Sequence, residues 1–215
     1  KVVVRSFRIV GASLIPDAEL AEQLKDFVGQ ELTLAQLQRA APTLIAYYAR
    51  KGYLARVVLP PQEIKDGIVI ISVIEGRRGS LRIDRKDGAR VDAARAQGFV
   101  ERRLGAGEAM NIANLEEALN ILNDQPGITA RASIAPGSAE RAVDVVGSVA
   151  DRPLVNIALG ADNRGARASG AQQLSGTLSL ANPTGLFDAA AVLVNASRGT
   201  TFGRLDYSLA AGNSG

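Results

Sequence analysis

Apolar and polar positions alternate over short runs at both ends of residues 1–76 and recur at helical spacing between them. From Arg5 onward Phe7 and Ile9 share one face and Ser6 and Arg8 the other, which predicts a half-buried strand. Residues 11–16 turn the chain, and Pro16 followed by Asp17 and Glu19 suits the first turn of a helix. Leu20, Leu24, Phe27 and Val28 carry its apolar stripe as far as Gly29. A second helix is predicted from Thr33 to Arg50, with Gln36 spaced for a capping box. Its stripe is Leu34, Leu37, Ala41, Leu44, Ile45 and Tyr48. Pro42 conflicts with that helix, because an interior proline removes a backbone bond and costs roughly 3 kcal/mol. A kink or break is expected there.

Gly52 then suits the left-handed conformation that ends a helix. Two β-rich runs, residues 53–59 and 68–75, flank Lys65-Asp66-Gly67, and Asp-Gly between such runs signals a hairpin. Pro60-Pro61 cannot donate ladder bonds, so the first run is an edge strand or leaves the sheet at that end. The order is βααββ.

The same order recurs over residues 77–152. Leu81 and Ile83 alternate with Arg82 and Asp84, and helical segments follow at about 92–104 and 111–123. Pro126-Gly127 stops the second helix, Ile128 to Ile134 alternates, and Val143, Val145 and Val149 build a return strand. Gly127 stands 75 positions after Gly52, the spacing of a tandem duplication of one small α+β unit. The basic junction from Arg77 to Arg90 has two readings, a basic patch for acidic lipid or substrate and, favoured because Asp84 and Asp87 interleave it, a solvated hinge.

After Pro153 the helical signals stop. Four alternating runs follow, carried by Val155-Ile157-Leu159, Leu174-Gly176-Leu178-Leu180, the more uniformly apolar residues 187–196, and Leu205-Tyr207-Leu209. Strands of this length with one apolar and one polar face fit an outer-membrane barrel, and equally the inward face of a soluble sandwich. Alternation alone does not separate the two.

Composition narrows the chemistry. The chain has no cysteine and no histidine, which removes disulfides, thiolate nucleophiles, imidazole bases and the usual zinc ligands together. Acid pairs such as Glu116-Glu117 fall on a helix flank, and the serines have no base to activate them. No catalytic residue, metal site or cofactor site is expected. A formal charge of +3 with scattered basic residues and no Trp gives no platform for nucleic acid. No run of about 18 apolar residues is present, which excludes a membrane-spanning helix but not spanning strands.

Three motifs carry a family resemblance: Leu59-Pro60-Pro61-Gln62 with Asp66-Gly67 and Glu75-Gly76; Asn123-Asp124-Gln125-Pro126-Gly127; and Asn182-Pro183-Thr184-Gly185-Leu186-Phe187-Asp188. Over about residues 3–211 the chain resembles the haemolysin secretion/activation family, the outer-membrane transporters of two-partner secretion. The resemblance implies an α+β fold: two tandem βααββ POTRA domains, residues 1–76 and 77–152, then antiparallel strands of a truncated outer-membrane β-barrel over 153–215. It implies POTRA domains in the periplasm of a Gram-negative bacterium, capturing an unfolded secreted exoprotein and passing it to a pore in the outer-membrane lipid. Strand addition at the edge of the first domain would do this through Tyr53, Val57, Val58 and Leu59, beside Leu44 and Tyr48.

A POTRA-containing assembly factor for outer-membrane proteins is the alternative, and a soluble β-rich binding module the second. The family's plug helix and linker are not in this sequence, and four strands cannot close where the smallest barrels take about eight. The chain therefore looks like a fragment, whose open sheet is expected to self-associate, take up detergent or fold back on the POTRA domains.

Overall fold

A computed structural model describes residues 1–105, 109–165 and 170–210. The part of the last predicted segment beyond residue 210, and the middle of the turn between the first two runs after Pro153, lie outside the described residues.

The first repeat contains β1 (Val2–Val3), β2 (Ser6–Val10), α1 (Asp17–Gln23), a 3-10 turn (Lys25–Phe27), β3 (Glu31–Leu32), α2 (Leu34–Leu37), α3 (Ala40–Arg50), β4 (Ala55–Val58) and β5 (Ile68–Glu75). The predicted second helix is two helices. Thr33 and Gln36 form the capping box at the start of α2, as the spacing indicates. The break falls at Gln38 and Arg39, ahead of Pro42. Pro42 thereby sits in the first turn of α3, where its missing N–H has no intrahelical partner to lose. The break resets the helical phase. Leu37, Ala40, Leu44 and Tyr48 point inward, whereas Leu34 and Ile45, which an unbroken stripe would bury, are 65% and 40% exposed.

The main sheet has the order β2-β5-β4. β2 runs parallel to β5 from Ser6↔Ile68 to Val10↔Ser72, and β4 runs antiparallel to it from Ala55↔Glu75 to Val58↔Ser72. The Asp66-Gly67 turn, with φ of 54° and 71°, therefore leads into the central strand, which pairs with β4 as the hairpin signal indicates and also with β2: the Arg5 N–H donates to the Gly67 carbonyl at 2.8 Å. A two-strand pairing of β1 with β3 was not legible in the sequence, each strand being two residues long. The core packs Val57, Ile71 and Val73 against Leu20, Leu24, Leu44 and Tyr48. Each such side chain stabilises by about 1.5–3 kcal/mol when fully buried.

The second repeat contains β6 (Arg77–Arg85), α4 (Ala93–Leu104), α5 (Ile112–Asp124), β7 (Ile128–Pro136) and β8 (Ala142–Asp151). Asp92 and Asn111 cap the two helices, accepting from the N–H groups of Arg95 and Asn114 at 3.1 Å each. The sheet order β6-β8-β7 places the first, last and middle strands in chain order as in the first repeat. Two of the junction arginines are paired, Arg82 with Asp84 at 2.9 Å and Arg90 with Asp151 at 3.4 Å.

Four long strands follow: β9 (Val155–Asp162), β10 (Gln173–Ala181), β11 (Asp188–Ser197) and β12 (Thr201–Leu209), an antiparallel meander in that order. Its register aligns Ile157, Leu178, Val192 and Leu205 across one face, and Ala158, Thr177, Leu193 and Arg204 across the other. The first face is apolar and open: Leu159 is 82% exposed and Leu205 77%. Among the described residues no helix is long and apolar enough to cross a membrane, which says nothing about strands.

Packing divides the chain into two compact units. One comprises Lys1–Ser80, Arg103–Glu117 and Ile134–Val145; the other comprises Leu81–Arg102, Ala118–Ser133 and the chain from Val146 on.

Candidate functional site

The first compact unit offers a strand edge. β4 ends its sheet, so its outer row of backbone groups has no strand beside it among the described residues. The open edge begins after Tyr53, which pairs with Asn111 in an isolated antiparallel bridge; before it Gly52, whose φ of 84° closes α3, accepts from the Ile112 N–H at 2.7 Å. A Cβ there would also lie 2.8 Å from the Asn111 side-chain oxygen, so the site is doubly reserved for glycine.

The edge ends at Pro60-Pro61, and Gln62 takes over the ladder's work. Its side-chain amide accepts from the Ile70 N–H at 2.7 Å and donates to the Ile70 carbonyl at 2.8 Å. One carboxamide replaces a strand residue where proline cannot serve. Gln62→Ala is therefore expected to destabilise the chain by about 2 kcal/mol, and Gln62→Glu by more, because a carboxylate cannot donate to the Ile70 carbonyl. Urea unfolding followed by circular dichroism measures both. The second repeat uses the same device: Asn123 accepts from the Ala130 N–H at 3.0 Å and donates to the Ala130 carbonyl at 2.9 Å.

At the other end of β5 stands Glu75, buried and in phase with Val69, Ile71 and Val73. Its carboxylate accepts from the Ser13 N–H (2.9 Å), the Ser13 hydroxyl (2.5 Å), the Leu14 N–H (2.9 Å) and the Tyr48 hydroxyl (2.8 Å). Burial works to raise the Glu75 pKa, yet the bonds from Ser13, Leu14 and Tyr48 hold it below the usual carboxylate range. Burial, then the bond to Glu75, pushes the Tyr48 phenol up. Sequence reading missed this clamp. The signal was a carboxylate on the buried side of an alternating strand.

The predicted binding residues divide. Leu44, Tyr48 and Val57 lie in the core at 0%, 0% and 6% exposure, so their side chains are not offered to a ligand. Tyr53 and Leu59 are half-buried and pack onto the same core. Val58 is half-buried on the other face of the sheet, beside exposed Arg56. The strand therefore offers its backbone and its non-core face. On that face an open groove of about 510 Å³ is lined by Leu54, Arg56, Ile74, Ile134, Pro136 and Val143. Among the described residues no cluster of three acidic side chains could hold a metal ion.

The βααββ order occurs twice, and an antiparallel sheet with an open apolar face follows it. Residues 2–76 match the POTRA domain, ShlB-type, and the first repeat is a POTRA domain of that type. The chain is related to the two-partner secretion transporters of the outer membrane. It is similar to the heme/hemopexin transporter protein HuxB of Haemophilus influenzae, with 28% identity over 88% of this chain and 34% of that protein. It is also similar to the outer membrane transporter CdiB of Escherichia coli, with 29% identity over 86% of this chain and 31% of that protein. The solved structure of Escherichia coli CdiB superposes with a TM-score of 0.70 at 28% identity, covering 91% of this chain and 36% of that one. The chain spans about a third of the length of these relatives.

Proposed function

We propose that the chain is the POTRA and first-strand part of a two-partner (type Vb) secretion transporter, a non-enzyme seated in the outer membrane of a Gram-negative bacterium. Residues 1–76 and 77–152 are its two periplasmic POTRA domains, and residues from 153 begin its barrel. The apolar face of β9 to β12 meets lipid, and the face carrying Thr177 and Arg204 turns to the pore. An unfolded exoprotein pairs with the open edge of β4 and is passed on to that pore.

The observation that carries this reading is the unpaired edge of β4, bounded by the Tyr53–Asn111 bridge and the Pro60-Pro61-Gln62 stop. Backbone pairing is tolerant of sequence, as a long and varied client demands, and the groove beside Arg56 and Ile74 receives alternate side chains of the added strand. No nucleotide is consumed in the pairing.

A photo-crosslinking residue placed at Arg56 or Val58 of the full-length transporter tests it. Both should crosslink to exoprotein arrested in passage, and a probe at exposed Leu34, away from the strand, should not. Val58→Pro should cut secretion at least tenfold while the barrel stays in the membrane and, since Val58 pairs with Ser72 inside the sheet, while circular dichroism shows the first repeat still folded. Equal crosslinking at all three positions, or normal secretion by Val58→Pro, overturns the site. Val57→Pro is a poor probe, since Val57 belongs to the core.

A further inference from the structure

The turn joining β10 to β11 is built far more heavily than a strand connection requires. Asn182 and Asp188 are fully buried and Phe187 is 5% exposed. Asn182 (φ 56°) and Phe187 (φ 65°) both take left-handed backbone, which non-glycine residues hold only when their surroundings force it. The turn closes on itself. The Asn182 N–H donates to the Asp188 carbonyl at 2.7 Å, and the Asn182 side-chain oxygen accepts from the Phe187 N–H at 2.8 Å. The Asp188 carboxylate accepts from the Thr184 N–H and the Tyr207 hydroxyl at 3.2 Å each.

The second repeat then grips this closed turn from separate points, all within one compact unit. The Asp92 N–H donates to the Gly185 carbonyl at 3.1 Å, and Arg90 Nε donates to the Asn182 carbonyl at 3.3 Å. Arg95, on α4, lies over the Phe187 ring at 5.2 Å and donates to the Ala210 carbonyl at 2.6 Å. Asp151, at the end of β8, accepts from the N–H groups of Arg90 and Val91 at 2.6 and 3.1 Å and so fixes the gripping loop. The fit leaves no slack: a Cβ on Gly185, whose φ is 87°, would stand 2.3 Å from the Arg90 carbonyl oxygen.

We infer that the Asn182–Asp188 turn is a peg seated in the second POTRA repeat, making that repeat and the β10–β11 hairpin one mechanical body. A flexible tether would need neither a buried left-handed phenylalanine nor a buried asparagine and aspartate. Displacement of the hairpin is therefore passed to the repeat and not absorbed at the joint. The inference rests on the reading of β10 and β11 as barrel strands.

The test is a distance measurement on the full-length transporter in lipid nanodiscs. Spin labels go on cysteines introduced at Ser133, on the repeat, and Thr200, between β11 and β12; both sites are exposed. The unsubstituted joint should give one narrow distance distribution. Gly185→Ala should broaden it at least twofold, and so should Arg95→Ala. Asp151→Asn, which keeps the shape but loses the Arg90 ion pair, should broaden it less. A broad or multiple distribution with the joint intact overturns the inference, as does a narrow one that persists through all three variants. The readout needs no transport, so it stands or falls separately from crosslinking at Arg56. Failure of the chain to enter lipid would instead strike the transporter reading.

Discussion

Glu75→Gln is expected to destabilise the first repeat by about 3 kcal/mol. The carboxylate serves four donors on Ser13, Leu14 and Tyr48, and bonds to a charged acceptor contribute about 1.5–3 kcal/mol each. A glutamine has one acceptor oxygen and two donor hydrogens, so buried N–H and O–H groups would be left facing a donor. The wild-type pH dependence has a definite sign. A carboxyl held below its ordinary value of about 4.5 contributes stability that is fully present above that pH and is lost as pH falls through the depressed value. Urea midpoints measured from pH 7 down to pH 3 should therefore fall in the wild type. They should fall less steeply in Glu75→Gln, which has no carboxyl to protonate there. Parallel slopes would remove Glu75 from the account.

Strand alternation, the capping box, the left-handed glycines and the repeated βααββ order could all be read from local chemistry. Each depends on neighbours a few residues away. What escaped the sequence depends on distant partners. Pro42 announced a break but not its position, because only packing of Ala40 and Leu44 decides where α3 begins. The Asp66-Gly67 turn was legible as a turn, whereas its delivery of β5 to β2 is set by a long-range parallel pairing. Among the candidate binding residues, Leu44 and Tyr48 share the apolar character of a surface groove and of a core, and period alone does not say which. Glu75 was visible as the exit of a strand; its four donors come from residues up to 62 positions away.

Leu178→Arg is expected to remove most of the folded protein from the outer membrane, while Thr177→Arg, one residue away, is expected to be tolerated. Leu178 lies mid-strand between Ile157 and Val192 on the apolar face, and Thr177 lies between Ala158 and Leu193 on the other. An arginine on the lipid side of a barrel costs about 2–4 kcal/mol at mid-depth, roughly 30-fold to 1000-fold in the folding equilibrium, whereas a lumenal one stays hydrated. Heat-modifiable mobility of the membrane fraction reads the folded amount directly. In a soluble sandwich the same apolar face would turn inward, so both variants would stay out of the membrane. Equal loss in the two variants would equally contradict a lipid-facing assignment for Leu178.

The paired amides of Gln62 and Asn123 carry a chemical consequence for the age of the molecule. Each offers one N–H to a backbone carbonyl that has no comparable substitute, at Ile70 in one repeat and Ala130 in the other. Direct hydrolysis of the amide to a carboxylate exchanges that nitrogen for oxygen with almost no change in side-chain size. It turns the contact from donor against acceptor into lone pair against lone pair, with a negative charge added to the wrong side. No other functional group among the natural side chains restores the pattern. The wear point of each repeat is thus a single nitrogen atom.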